Sequence, residues 1–169
     1  SRVTGGTTSS IDGALNSSIP GANLYLVNPS GVIFGPNASL NVSGAFHVST
    51  ANYVKLADGT TFDTTMPVNS ALSSAPPSAF GFLTTTPAPI SIQGGLLEVT
   101  QGAEISVSGG DLSITDGFLF APAGSIKVAS VASPGELVLA DPDLGTGSFA
   151  QLGNIDITHT GGIFSRLHN

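Results

Sequence analysis

The chain has 169 residues, no cysteine, four basic and eleven acidic side chains, and a formal net charge of -7. A disulfide framework and thiolate chemistry are thereby excluded. So is nucleic-acid binding, which needs several Lys or Arg on phosphates, where this chain has only the scattered Arg2, Lys55, Lys127 and Arg166.

Only 9% of residues are charged, but 40% are hydrophobic and 22 are glycine, a balance that predicts an ordered all-β domain with many turns. Residues 1–22 alternate turn-formers with short apolar pieces around Val3, Ile11 and Leu15. From Asn23 to Val48 the apolar runs Leu24–Val27, Val32–Phe34, Leu40–Val42 and Ala45–Val48 are divided by Asn28-Pro29-Ser30-Gly31, Gly35-Pro36-Asn37 and Ser43-Gly44. Pro at the second place and Gly at the fourth suit a type I turn, and Asn at the first bonds its side chain to the backbone ahead. Breakers this frequent leave no room for a useful helix. Phe34 and Phe46 read as core between stacked turns, and the stretch runs on through Tyr53–Gly59.

The texture changes from Thr60 to Pro89, which holds five of the eleven prolines and little periodicity. Proline cannot donate to a strand ladder, so this segment is predicted to leave the main body, with Phe80-Gly81-Phe82-Leu83 docking it back. Regularity returns in Ile90–Ile92, Leu97–Val99, Ile105–Val107, Leu112–Ile114, Phe118–Phe120, Ile126–Val128, Leu137–Leu139, Ile155–Ile157 and Ile163-Phe164. Strands this short fit either a Greek-key sandwich or barrel or a parallel β-helix. Corners about every seven to nine residues favour a coil of roughly twenty residues, the solenoid.

No catalytic constellation emerges. His47, His159 and His168 are far apart, with no zinc-site spacing. His47 alternates with Phe46, which predicts an outward-facing surface histidine. A lyase-like sugar site would need clustered carboxylates and a base, for which Asp12, Asp58, Asp63, Asp111 and Asp116 with Lys55 or Lys127 are the candidates. Their Gly- and Thr-rich surroundings are those of ordinary turn aspartates. Gly94-Gly95 and Gly109-Gly110-Asp111 are similar to calcium-binding nonapeptide repeats, but do not recur at nine-residue steps. The sequons at Asn16, Asn37 and Asn41 are the chance yield of a Ser-rich chain. Neither cofactor nor metal is expected, no apolar run is long enough to span a membrane as a helix, and four scattered cations cannot hold an anionic surface.

The stretch NPSGVIFGPNASLNVSGAFHVSTANYVKLADG resembles the haemagglutination-activity (two-partner secretion) domain of large bacterial exoproteins of the filamentous haemagglutinin type. SRVTGG…IDG, AFGFL…PAPISIQG and SGGDLSITDGFLFAPAGSIKVASVASPGELVL extend the likeness over about 150 residues. The family's signature is Asn-Pro-Asn-Gly before an apolar pair; this chain keeps Asn28, Pro29 and Gly31 and carries Ser30 in place of the second Asn. The resemblance implies a right-handed parallel β-helix (single-stranded, pectin-lyase-like) with the 60–89 segment outside it. It implies one domain over 1–169, a fragment of a larger exoprotein whose signal peptide and first strands lie upstream. It also implies a non-enzymatic secretion domain (TpsA-type) recognised by the periplasmic domains of an outer-membrane TpsB-type transporter. After periplasmic transit the domain would fold at the bacterial surface and nucleate the remaining solenoid. Asn28, Pro29, Ser30 and Gly31 would form the secretion motif. Open coil ends suggest a second reading, an adhesive or structural fibre module that associates end to end.

Overall fold

The computed structural model describes residues 1–65, 70, 73–139 and 143–165, and these form nineteen strands and no helix. A first coil consists of β1 (Ser9–Ile11), β2 (Ala14–Asn16) and β3 (Leu24–Val27), and a second of β4 (Val32–Phe34), β5 (Ser39–Asn41) and β6 (Phe46–Ser49). The chain then leaves the stack through β7 (Tyr53–Leu56), β8 (Thr61–Asp63) and β9 (Pro77–Phe82). It returns for β10 (Ile90–Gln93), β11 (Leu96–Glu98) and β12 (Glu104–Gly109), followed by β13 (Leu112–Thr115), β14 (Phe118–Phe120) and β15 (Ser125–Ser130). A second departure carries β16 (Gly135–Leu139) and β17 (Leu144–Gly145), after which β18 (Ile155–Thr158) and β19 (Gly162–Phe164) begin a fifth coil.

Each coil adds one strand to each of three parallel ladders: β1-β4-β10-β13-β18, β2-β5-β11-β14-β19 and β3-β6-β12-β15. Where no departure intervenes, partners lie 21 to 25 positions apart, as in Glu104 with Ser125, Leu24 with Phe46 and Ala14 with Ser39. The fold is thus the parallel β-solenoid that the corner spacing favours, not a sandwich or closed barrel. Alternation turns every second side chain inward, and parallel register stacks like upon like. Val32, Ile90 and Leu112 form one such stack, and Phe34, Ile92 and Ile114 the next. Val32, Phe34, Ile90, Ile92, Leu97, Ile105 and Leu119 are each no more than 1% exposed. Burying each such side chain contributes about 1.5–3 kcal/mol relative to leaving it in water.

The two departures meet in a fourth, antiparallel sheet of order β17-β16-β9-β7-β8. It covers the outer face of the β3-β6-β12-β15 ladder. There Val27 and Ala129, pointing away from the solenoid interior, join Val54, Phe80, Phe82 and Leu137 in a second apolar core. Three particulars differ from expectation here. The first departure begins at Tyr53 rather than at residue 60, because β7 pairs with β9. The segment is not chiefly irregular, since β9 is the central strand of the outer sheet. Pro77 is its first residue, the place in a strand where a missing N–H is tolerated. Leu137–Leu139, read as a coil strand, belongs to β16, whose Leu137 pairs antiparallel with Phe80. At the centre of the sheet Gly81 lies opposite Tyr53, and a Cβ there would overlap the tyrosine ring.

One corner of the solenoid has two forms. Leaving the β3-β6-β12-β15 ladder, the chain turns in four residues after β3 and in two after β12, but only after 40 residues beyond β6 and 24 beyond β15.

Candidate functional site

The Asn28–Gly31 turn occupies the first of those tight corners. Asn28 is fully buried despite its polarity, a placement that requires its amide to be satisfied. Its Oδ1 accepts from Ser30 N at 2.9 Å, the side-chain bond to the backbone ahead that the sequence predicts. Its Nδ2 donates backwards to Thr7 O at 2.9 Å and Ser9 Oγ at 2.8 Å, and its backbone N–H donates forwards to Ser49 O at 3.0 Å. Gly31 N donates to Asn28 O at 3.1 Å, closing the turn between Pro29 and Ser30. Gly31 itself has φ +104°, a region side chains rarely adopt, and a Cβ would lie 3.2 Å from Pro89 O.

The turn is therefore a junction. Gly31 O accepts from Ser9 N at 3.0 Å, Ser30 O accepts from Thr8 Oγ1 at 2.8 Å, and Val32 N donates to Pro89 O at 3.2 Å. Coil one, coil two and the point where the chain re-enters the solenoid are fastened to this short turn. Ser30 contributes its backbone to these bonds, so a serine fills the place of the family's second asparagine without loss of any of them. Thr7, Thr8, Ser9 and Pro89 are the partners that sequence reading misses, because they lie 19 residues or more away and only coil stacking brings them near.

The candidate carboxylates stay apart: Asp58 and Asp63 are tied into their own turns, whereas Asp12, Asp111 and Asp116 are tied to the neighbouring coil. Asp12 accepts from Asn37 N at 2.8 Å and Nδ2 at 3.1 Å, and these bonds, the backbone one foremost, hold its carboxyl below the usual range. Asp58 takes Thr60 N, Thr60 Oγ1 and Ser73 Oγ, while Asp63 takes Thr65 N and Oγ1. Asp111 accepts from Asn154 N, and Asp116 from Thr160 N and Oγ1. Lys55 is paired with Glu136 at 3.0 Å. Among the described residues no three His, Asp or Glu side chains gather where a metal could be held. Asn16 and Asn41 bond to each other across the ladder at 2.9 Å, with Asn41 Nδ2 donating to Asn16 Oδ1. His159 is exposed, and His168 lies outside the described residues.

His47 departs from expectation. It does point away from the solenoid interior, yet it is only 7% exposed, because side chains of its own ladder cover it. Tyr25 stacks on its ring, centroids 4.3 Å apart and planes 10° from parallel. Its Nδ1 lies 3.8 Å from Glu104 Oε1 without a hydrogen bond, and Glu104 Oε2 is held by Lys127 Nζ at 2.8 Å and Ser125 Oγ at 3.1 Å. Burial lowers the imidazole's affinity for a proton; Glu104 opposes that and Lys127 adds to it. These residues floor an open groove of about 680 Å³ bounded by Pro77, Leu139 and Leu144. Alternation in the sequence places His47 on this face; nothing local says that Tyr25, one coil back, stacks on it.

No curated protein and no solved structure matches the chain. A family model does, that of the TPS secretion domain, over residues 1–166. With an all-β solenoid and the buried Asn-Pro-Ser-Gly corner in place, the chain belongs to the two-partner secretion domain family of bacterial exoproteins.

Proposed function

We propose that this domain, while unfolded, is recognised in the periplasm by the periplasmic domains of a dedicated outer-membrane transporter, crosses, and folds outside as the first coils of a longer solenoid. On this reading Asn28, Pro29, Ser30 and Gly31 are the residues on which secretion depends. The observation that supports it most is the Asn28 corner. One buried side chain and its turn join two coils and the re-entry point at Pro89, so the corner's full set of bonds is made only when all three are together. A motif of that kind couples a short linear signal in the unfolded chain to nucleation of the folded one, and coil-by-coil growth then needs no energy source outside the cell.

The test is release into the medium with and without the transporter, for wild type and Asn28→Ala, each in its parent exoprotein. Release that needs the transporter and falls sharply in the variant, while the purified variant keeps its β-rich circular dichroism, supports the reading. Release unchanged by the substitution and equally efficient without the transporter overturns it.

A second reading, end-to-end association as part of a fibre, has its own support. The inward-facing Ile155 and Ile157 of β18 are 45% and 46% exposed, because no further strand among the described residues covers them. Sedimentation that stays monomeric up to high concentration would remove it.

A further inference from the structure

The first departure opens and closes beside the Asn28 corner. The chain leaves coil two at Thr50, just past β6, and re-enters through Pro87-Ala88-Pro89, just before β10. Two of these three re-entry residues are proline and have no N–H, so their carbonyl oxygens are the main means of anchoring them. Pro89 O accepts from Val32 N at 3.2 Å. Ala88 O takes two donors, the Thr50 hydroxyl at 2.8 Å and Gly110 N at 2.9 Å. Thr50 is only 2% exposed, and among the described residues no other side chain bonds to the re-entry. The two donors belong to different stages of the stack. Thr50 ends coil two, whereas Gly110 follows β12, the last strand of coil three. Until coil three has closed, Thr50 is the donor that ties Ala88 to coil two. Bringing together groups 38 positions apart is the entropic cost of that step. The hydroxyl marks where the two ends meet, and with it the register of β10 on β4, Ile90 beside Val32.

We propose that Thr50 is a positioning residue for secretion. Its hydroxyl sets the re-entry against the Asn28 corner while the first coils form, and release depends on it as on Asn28 itself. That role follows from the reading of the corner as the folding nucleus and rests on it. The second departure supplies a contrast. Ser130, where that departure begins, is 4% exposed, and its hydroxyl donates to Gly110 O at 2.8 Å, at the end of coil three. The re-entry there reaches Ser130 through backbone alone, Gly153 N donating to Ser130 O at 3.0 Å. The two departures thus each lose one buried hydroxyl bond of equal length when mutated, one inside the nucleus and one added after it.

The experiment compares Thr50→Val, which has nearly the same shape without the hydroxyl, Thr50→Ser, which keeps it, and Ser130→Ala. Each is followed by refolding of the whole chain from urea and by release of the parent exoprotein in the presence of the transporter. Expected for Thr50→Val is refolding slowed by most of the factor by which its folding equilibrium constant falls, together with a several-fold loss of release. Thr50→Ser should recover most of both. Ser130→Ala should unfold faster while refolding and being released as the wild type is. Thr50→Val that refolds at the wild-type rate and only unfolds faster would overturn the proposal, because the hydroxyl would then act in the finished fold alone. Failure of Thr50→Ser to recover release would overturn it as well. So would full release of Thr50→Val beside a loss in Asn28→Ala, a result that leaves the secretion reading standing. Full release of both variants would remove the two together.

Discussion

The solenoid body and the outer sheet are built from strands that look alike in sequence yet are held by different means. In the body, where no departure intervenes, a strand has its partner about one coil away, and its inward side chains rest on equivalent positions above and below. In the outer sheet Phe80 of β9 pairs with Val54 of β7, 26 positions back, and with Leu137 of β16, 57 positions ahead. Most of the body can thus be assembled from local repeats, whereas the outer sheet needs two distant departures brought together, a costlier closure. A repeating pattern specifies a stack; the sheet that covers the stack is specified by its own long-range pairing.

The largest expected effect sharpens that contrast. Phe34→Ala in the body and Phe80→Ala in the outer sheet each remove a fully buried ring and should cost about 3–5 kcal/mol. Denaturant unfolding should show the loss at Phe34 as a lower midpoint for the whole chain. Hydrogen exchange should confine the loss at Phe80 to β7, β9 and β16, with β10 and β13 still protected. A uniform loss of protection in Phe80→Ala would show that the two regions unfold as one unit. Gly31→Val forces a β-branched residue to φ +104° and should cost about 1–3 kcal/mol, read as a shifted urea midpoint. Normal folding together with normal secretion in that variant would remove both the structural and the secretory reading of the corner. Gly81→Ala should also cost about 1–3 kcal/mol by displacing the Tyr53 ring, and Tyr53→Ala added to it should restore part of the loss.

The smallest effect is one of pH. Burial lowers the folded-state pKa of His47, so the folded protein binds its proton less readily than the unfolded chain does. Stability from this site is then complete above the ordinary histidine pKa of about 6.5 and declines as pH falls from there toward the lowered native value. His47→Gln should flatten that slope in urea midpoints measured across the window. An unchanged slope would show that burial of the ring does not govern its protonation. Tyr53, raised to about 12 by burial and its bond to Glu136, stays protonated throughout and serves as a control.

The body was legible in the sequence because its information is local. Asn28-Pro29-Ser30-Gly31 carries its turn in its own residues, and the corner spacing sets the coil. The outer sheet was legible only in part. Phe80 and Phe82 do dock the departure back, but Glu136-Leu137-Val138-Leu139 alternates as a coil strand does, so nothing nearby distinguishes it. His47 shows the same limit at the level of one residue: alternation set its direction, while its burial depends on Tyr25 and Glu104, which only coil stacking brings near. The partners of Asn28 were hidden for a related reason, since Thr7 and Ser9 reach it only after a full coil has closed.

The corner with two forms has a consequence for how such a chain can change. Beyond β6 it admits 40 residues and beyond β15 it admits 24, and in both cases the next strand re-enters in register with the ladder. Because loop-closure cost grows only logarithmically with length, this corner is where new sequence can be added with least disturbance to the stack. The two-residue turn after β12 offers a third such position, a natural place to graft a foreign epitope or binding loop onto the scaffold.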